Sequence, residues 1–330
     1  MVDYVVPGMI DSSAGALSNR NRIINGAMGI WQRGTSFANV STTNSFYTAD
    51  RWGANRSNDA SGLTVSQSTD VPSGFKYSAK FQRTAGDTAA NTISIFNSNE
   101  SINTLDFAGQ QVTFSFYAKV GANWSASNNI TASIRSGTGT DQKVYQFTGL
   151  VSQFSSIAVT NSWSRYSMTK TIPSDATEVG AIISTGVFTG TAGADDSLYI
   201  TGVQLEKGSV ATAFEYRNYQ QELAMCQRYY EQTESIASFV GAPSVIGVNV
   251  SYTTGLRWHV KKRATPTVTI YNRAGTSGKL SAITSGSSAG TGTVSANNPD
   301  SMGCQTLLDS GNGLTAGVGY EANYTASAEL

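Results

Sequence analysis

The stretch that decides the fold, residues 198–231, reads LYITGVQLEKGSVATAFEYRNYQQELAMCQRYYE. Leu198 and Ile200 alternate on one face of a strand, the phase slips at Gly202, and the alternation resumes at Val203. A one-residue slip at a glycine predicts a β-bulge within a paired strand. We therefore expect this strand to pair with neighbours in a β-sheet.

The second half of the stretch predicts a short amphipathic helix from about Tyr216 to Gln232. Its apolar residues recur three and four apart, which forms a heptad-like seam: Tyr216, Tyr219, Leu223, Cys226 and Tyr230. A helix of this length is not stable alone, so the seam needs a partner surface. That surface is either the rest of the same chain or neighbouring copies, in which case three copies would meet at a symmetry axis.

The residues before the helix predict many short strands separated by Gly, Ser, Asn and Thr turns. In Gln111–Lys119, Val112, Phe114 and Phe116 alternate with polar or amphipathic residues, as in a half-buried strand. Strands at such short spacing, without intervening helices, favour an all-β sandwich. After the helix the strands return, with residues 274–300 predicted as a long polar surface loop or a weak edge hairpin.

The order of these predicted elements divides the chain into four regions. They are an N-terminal attachment peptide (1–21), a β-sandwich domain (22–215), a linker helix (216–234) and a small C-terminal β-sandwich domain (235–330). Residues 1–21 are either a frayed terminus or a docking peptide. As a docking peptide, the segment would attach the protein to a larger assembly through its apolar residues Val5, Val6, Met9 and Ile10.

The composition argues against several classes of protein. Only 13% of the residues are charged and the net charge is zero, which argues against binding to nucleic acid or to an anionic membrane. No apolar run approaches the length of a membrane span, so we expect no membrane insertion. The two cysteines, Cys226 and Cys304, are too few for a disulfide framework or a thiolate metal site.

Few residues are suited to catalysis, so we expect a protein that is not an enzyme. The single histidine, His259, lies in a predicted strand and has no nucleophile elbow beside it. Carboxylates are sparse, and the sequence does not pair any two of them for glycosidase chemistry: Asp50, Asp59, Asp106, Asp195, Asp196 and Glu206. We expect no cofactor, and a structural calcium ion held by loop carboxylates is the alternative.

Aromatic rings beside amides are typical of sugar-binding surfaces, because the apolar face of a pyranose stacks on the ring. Trp124 lies in the turn-rich segment GANWSASNN, residues 121–129, with polar neighbours on both sides. We predict a ligand-binding site at Trp124, Asn123 and Asn128. The alternative is that the Trp124 ring folds over the edge of the sandwich, and Trp52 is predicted to lie in the core.

Several segments resemble one family of tailed-phage fibre and appendage proteins that contain a carbohydrate-binding-module-like jelly roll. They are RIINGAMGIWQRGTS (22–36), YTADRW (47–52), VTFSFYAK (112–119), VQLEKGSVATAFE (203–215), CQRYY (226–230), RATPTVT (263–269) and YTASAEL (324–330). The resemblance implies jelly-roll connectivity in the first domain. The sequence departs from the family pattern at Thr201, where sugar-binding jelly rolls often have an acidic residue that binds a structural ion.

The resemblance also implies a function. The expected protein is a structural component of a virion, a homotrimeric head or tail fibre that recognises a glycan on the host surface. It would contact other virion proteins through its N-terminus and would be located in the virion. The alternative is a capsid decoration or adaptor protein with a purely structural role.

Overall fold

The computed structural model describes residues 19–38, 40, 46–58, 62–127, 129–233, 237–239, 255–282, 293–309 and 320–330. The chain divides into two compact units: Met1–Asn218 with Leu330, and Tyr219–Glu329. No helix in the described ranges has both the length and the apolar character needed to cross a membrane.

The first unit is a sandwich of two six-stranded antiparallel sheets. Sheet A contains, in spatial order, β1 (Ser36–Phe37), β4 (Leu63–Ser68), β5 (Ser78–Arg83), β12 (Ser197–Lys207), β7 (Gln111–Val120) and β10 (Ser164–Thr171). Sheet B contains β2 (Phe46–Tyr47), β3 (Gly53–Arg56), β6 (Ile93–Ser98), β11 (Glu178–Ser184), β8 (Asn129–Gly137) and β9 (Val151–Ala158). Two 3₁₀ turns, Ser101–Asn103 and Leu105–Phe107, connect β6 to β7.

The core between the two sheets follows from the alternation of apolar residues along the strands. On β7, Val112, Phe114 and Phe116 are fully buried in one cluster with residues from both sheets. The predicted bulge is confirmed, since the pairing of β12 with β7 shifts between Thr201 and Gln204. Gly202 adopts a φ of +60° there, which glycine tolerates without steric cost. Trp52 is buried in the same core, as predicted.

A strap of residues that follows β12 covers part of the outer face of sheet A. Glu206 is buried and accepts hydrogen bonds from the Thr212 amide at 2.9 Å and from the Thr212 hydroxyl at 2.6 Å. Phe75 packs its ring against Phe214 at 5.2 Å and against Tyr216 at 5.4 Å. The strap is therefore fixed by both polar and apolar contacts.

The second unit begins with α1 (Tyr219–Gln227) and contains two smaller sheets. In the larger, β20 (Tyr320–Ser327) pairs with β13 (Tyr230–Gln232), β14 (Ala237–Phe239), β16 (Thr267–Tyr271) and β17 (Ser281–Ala282). The other has the order β15 (Gly255–Arg257), β19 (Gly303–Asp309), β18 (Thr293–Asn297). One apolar cluster joins residues of the two sheets, including Ile270 and Tyr324 from the first and Val294 and Cys304 from the second.

The predicted fold class is confirmed: a large two-sheet β-sandwich is followed by one short helix and then by smaller sheets. The helix is shorter than predicted, because the backbone of Tyr230 pairs with Ser327 in a sheet instead of continuing the helix. Tyr216 also lies outside the helix, so the predicted seam does not run along one helical face.

β9 and β19 were not predicted as strands. The 274–300 segment, predicted as a long loop or a weak edge hairpin, contains β18, which pairs with β19 at the edge of the three-stranded sheet. His259 lies beyond the end of β15 rather than within a strand.

Candidate functional site

A row of polar side chains crosses five neighbouring strands on the outer face of sheet B. The register pairs each member with the next, from β3 through β6, β11 and β8 to β9, in the order Asn55, Ser94, Ser184, Thr131 and Ser156. Their sequence neighbours point into the core, so by alternation these five point outward. At about 4.8 Å between strands, the row spans about 19 Å. We call it the polar row.

An exposed aromatic ring borders the polar row. Phe154 on the edge strand β9 is 64% exposed and lies two residues from Ser156, so both side chains share the outer face. Its cross-strand partner is Ser133, a small residue that leaves the ring uncovered on that side. A phenyl ring of this exposure gains nothing for folding, but it can cover the apolar face of a ligand.

Tyr145 and Arg135 lie on the same long side of the polar row as Phe154, because Phe96, on which Tyr145 packs, is in register with Ile182, Ser133 and Phe154. The Tyr145 ring packs edge-on against Phe96 at 5.0 Å, and the Arg135 guanidinium lies 4.9 Å from the Tyr145 ring centre. Burial raises the pKa of the Tyr145 hydroxyl, while Ser94, Arg135 and Asn55 act in the opposite direction. These contacts bring the phenol to the Asn55 end of the row, and it stays a neutral hydrogen-bonding group at physiological pH.

The segment that carries Tyr145 is fixed on sheet B by apolar and polar contacts. Val144 and Phe147 pack with Phe96 and Ile182 in a small cluster on the outer face. The amide of Gln142 donates a 2.9 Å hydrogen bond to the buried Glu178 carboxylate. The polar row is therefore bordered on one side by a fixed segment and remains accessible on the side of β9.

The chemistry of the polar row suits a neutral polyol. Hydroxyl and carboxamide groups both donate and accept hydrogen bonds, as sugar hydroxyls do. The row contains no carboxylate, histidine or cysteine, so it offers neither an acid–base pair nor metal ligands. Sequence reasoning missed this site, because its members come from five separate strands and β9 was not predicted.

The structure places Trp124 against the core rather than on an open surface. The ring is partly buried and packs edge-on against Phe188 at 5.0 Å, and its indole N–H donates to the Ser127 carbonyl at 3.1 Å. Asn123 is exposed, and its side-chain oxygen accepts the Asp195 amide at 3.0 Å. Asn128 lies outside the described residues. A ligand-binding role for this loop stays a prediction.

Asp195 belongs to a charged cluster on the outer face of sheet A. Its carboxylate accepts from the Tyr199 hydroxyl at 2.9 Å and lies 3.2 Å from the Lys80 ammonium. Burial acts to raise the pKa of Asp195, but hydrogen bonds from Tyr199, Ser197, the Ala122 amide and Lys80 outweigh it, so the pKa lies below its usual value.

Asp70 forms the other half of this cluster. It accepts from the Trp163 indole N–H at 2.9 Å and forms an ion pair with Lys119. Burial acts to raise the pKa of Asp70, but the bonds from Lys119 and Trp163 lower it overall. Lys119 also lies 4.8 Å from the Tyr199 ring centre, which joins the two halves. The carboxylates of the cluster are paired with its own lysines, as expected of a structural contact between loops and sheet.

Several of the candidate carboxylates form ion pairs with protein cations. Asp196 is fully buried and bonds to the Arg83 guanidinium at 3.0 Å, while Asp195 pairs with Lys80. No group of three or more metal-ligating side chains occurs among the described residues. Of the other candidates, Asp106 pairs with Arg22 and Asp59 lies outside the described residues.

His259 is part of a polar contact in the second unit. Its ring Nδ1 lies 3.2 Å from the buried Glu231 carboxylate, which also bonds to Lys262 at 2.6 Å and to the Tyr324 hydroxyl at 2.8 Å. Burial acts to raise the pKa of Glu231, but Lys262 and Tyr324 lower it overall. The carboxylate is thus charged and fully engaged, which favours a structural role for the group.

The seam residues have different environments. Tyr219 is 61% exposed and Leu223 is partly buried on α1, while Cys226 and Tyr230 are buried. Tyr216 is exposed, and its hydroxyl donates to the Gly74 carbonyl at 3.0 Å. A contribution of these residues to a trimer axis stays a prediction. The attachment residues Val5, Val6, Met9 and Ile10 lie outside the described residues.

Comparison with known proteins finds similarity of fold. Tailspike protein 4 of bacteriophage CBA120, in its enzymatically active domain, aligns with 57% of this chain at 19% identity and a TM-score of 0.37, and the match spans 22% of the tailspike chain. The xylan-binding domain of carbohydrate-binding module family 22 aligns with 52% of this chain and 99% of its own, at 16% identity and a TM-score of 0.33.

A family 61 carbohydrate-binding module in complex with β-1,4-galactotriose gives a similar result. It aligns with 57% of this chain and 99% of its own, at 11% identity and a TM-score of 0.32. No protein-family model matches the chain, and no curated protein matches it in sequence. The likeness to carbohydrate-binding β-sandwiches and to a phage tailspike is therefore one of structure, without a sequence family.

Proposed function

We propose that this chain is a non-enzymatic, glycan-binding subunit of a phage head or tail fibre. The observation that carries the glycan part is the polar row of five side chains on consecutive strands, bordered by the exposed ring of Phe154. An oligosaccharide would lie across the strands, with its hydroxyls on the row and the apolar face of one sugar on Phe154. Arg135 and Tyr145 would add hydrogen bonds at the border.

The chemistry of the row implies a weak individual site. Hydrogen bonds between neutral groups exchange for bonds to water and contribute little net affinity. Display of several copies overcomes this limit, since linked sites raise the effective concentration of the second contact. Assembly as a homotrimer, as predicted from the sequence, would supply that display. The glycan would then be one that repeats on a host surface.

The phage part of the proposal rests on the sequence segments that resemble fibre and appendage proteins. Residues 22–36, 47–52 and 203–215 carry much of this resemblance. In the proposed arrangement, residues 1–21 attach the subunit to other virion proteins, and the assembled protein is located in the virion. A sedimentation experiment tests the assembly: we expect a trimer, and a stable monomer at micromolar concentration would remove this part of the proposal.

A glycan array displaying bacterial surface polysaccharides tests the binding. The purified protein, coupled to multivalent particles, should bind a subset of uncharged glycans. Phe154→Ala should weaken this binding roughly two- to twelve-fold, which corresponds to about 0.5–1.5 kcal/mol for an aromatic contact. Thr131→Val, which removes one hydroxyl from the row, should weaken it as well.

Val210→Ala is the matched control, because Val210 is also an exposed apolar residue of the first unit but lies in the strap on sheet A. It should bind like the unaltered protein. The proposal fails if no glycan is retained at high multivalency, or if Phe154→Ala and Val210→Ala behave alike. Binding to purified capsids without any glycan binding would instead favour the decoration or adaptor role.

A further inference from the structure

The second unit contains a cavity of about 420 Å³ beside its three-stranded sheet. Its lining includes Arg257, Asn298, Asp300, Met302 and Gln305. A volume of this size lies within the range of small-ligand sites. The cavity belongs to neither the polar row nor the charged cluster, both of which lie in the first unit.

Two glycines lie opposite polar residues in the strand pair beside the cavity. In the pairing of β15 with β19, Gly255 lies opposite Gln305 and Gly303 lies opposite Arg257. These four residues share the face that points away from the core, because Leu256 and Cys304 between them pack into the apolar cluster. A Cβ at Gly255 would meet no atom of a described residue within 4 Å, so the described part of the chain leaves space beside it.

The polar side chains of the cavity have hydrogen-bonding capacity to spare. The side chains of Arg257, Asn298 and Gln305 form no hydrogen bond or ion pair with any described residue. Asp300 is fixed in place, since one carboxylate oxygen accepts the amides of Met302 at 2.6 Å and Gly303 at 2.9 Å. Its other oxygen remains available as an acceptor.

The charges of the cavity select the class of ligand. The cavity contains one positive charge, on Arg257, and one negative charge, on Asp300. The Asp300 carboxylate would repel an anionic ligand, and the Arg257 guanidinium would repel a cationic one. A neutral polyol satisfies both, because its hydroxyls accept from Arg257 and donate to Asp300. Met302, which is 51% exposed, adds an apolar surface for the C–H face of a sugar ring.

We propose that this cavity is a second binding site, which takes one uncharged sugar unit. It shares no residue with the polar row, so a test of one site does not decide the other. Two sites on one chain would raise its avidity for a surface that displays many copies of the sugar, without new contacts at either site.

Saturation-transfer NMR on the full chain tests the proposal with uncharged probes: the methyl glycosides of glucose, galactose, mannose and N-acetylglucosamine. Glucuronate and glucosamine serve as charged comparators. We expect transfer to at least one uncharged glycoside. Arg257→Ala should weaken this binding about ten-fold or more, through loss of hydrogen bonds from a charged donor. Gly255→Phe, which fills the open space, should abolish it.

Lys261→Ala is the control, because Lys261 is an exposed basic residue of the same unit outside the cavity lining. It should bind like the unaltered protein, and a circular dichroism spectrum checks that each variant is folded. The proposal is overturned if no uncharged glycoside binds, if only a charged comparator binds, or if both cavity variants bind normally. A signal lost in Phe154→Ala but kept in Gly255→Phe would assign the binding to the polar row, which would refute the cavity while supporting the proposed function.

Discussion

The buried ion pair between Arg83 and Asp196 gives a sharp test of how the first unit is held together. Both side chains are fully buried, and their closest atoms are 3.0 Å apart. The guanidinium also donates to the carbonyls of Asp87, Ala89 and Gly190. Arg83→Met would leave the Asp196 carboxylate buried with only the amide and hydroxyl of Ser125 as donors.

Removing one partner of a buried pair costs about 3–5 kcal/mol, because the other charge stays desolvated. For a unit of this size, each kcal/mol lowers the melting temperature by about 2–4 °C, so we expect a fall of roughly 6–20 °C. Differential scanning calorimetry measures the change. Adding Asp196→Asn to the Arg83→Met variant should recover part of the loss, since the buried Asp196 charge is then removed.

Arg22→Met is the comparison, because Arg22 forms an exposed ion pair with Asp106 at the same kind of distance, 2.9 Å. Exposed pairs contribute about 0–1 kcal/mol, so this variant should melt within a few degrees of the unaltered protein. The reasoning is refuted if Arg83→Met and Arg22→Met shift the melting temperature equally, or if the double variant is less stable than Arg83→Met alone.

Two further predictions concern the pH response and the bulge. The folded-state pKa of Asp70 lies below its unfolded value, so its contribution to stability is present above about pH 4 and is lost as the pH falls through the folded-state pKa. The melting temperature of the unaltered protein should therefore exceed that of Asp70→Asn at neutral pH, and the difference between the two should disappear at acidic pH. A difference that does not change with pH would contradict the lowered pKa of Asp70. Gly202→Ala should destabilise the first unit by about 2–5 kcal/mol, since φ is +60° and a Cβ would lie 2.6 Å from the Phe75 ring. Urea unfolding measures this change, and Gly29→Ala, where a Cβ meets nothing, should be neutral; equal effects of the two would reject the steric argument.

The helix shows where local pattern and tertiary structure disagree. The spacing of apolar residues from Tyr216 to Tyr230 predicted one continuous helix, yet α1 covers only Tyr219–Gln227. Helical spacing describes side chains, whereas the end of a helix depends on what else the backbone can pair with. Here β20 offers Tyr230 a strand partner, and that partner lies almost a hundred residues later in the chain.

In the helix the local pattern predicted too much regular structure, whereas in β9 it predicted too little. Its sequence, VSQFSSIA, places Gln153 and Ser155 on the inward side and Phe154 on the outward side. This reverses the usual distribution of polar and apolar residues, so the alternation that marks a half-buried strand is absent. An edge strand tolerates this pattern because it covers less of the core, and the Phe154 ring remains exposed.

The sequence by itself determined the all-β class, the alternating core strands and the bulge at Gly202, because these depend on residues that are neighbours in the chain. Only the tertiary structure decided the two candidate binding sites. The polar row exists because the sheet order aligns Asn55, Ser94, Ser184, Thr131 and Ser156, and the cavity exists because strand pairing sets Gly255 against Gln305. Register between distant strands is set by the burial of the whole core, and no local stretch of sequence contains that information.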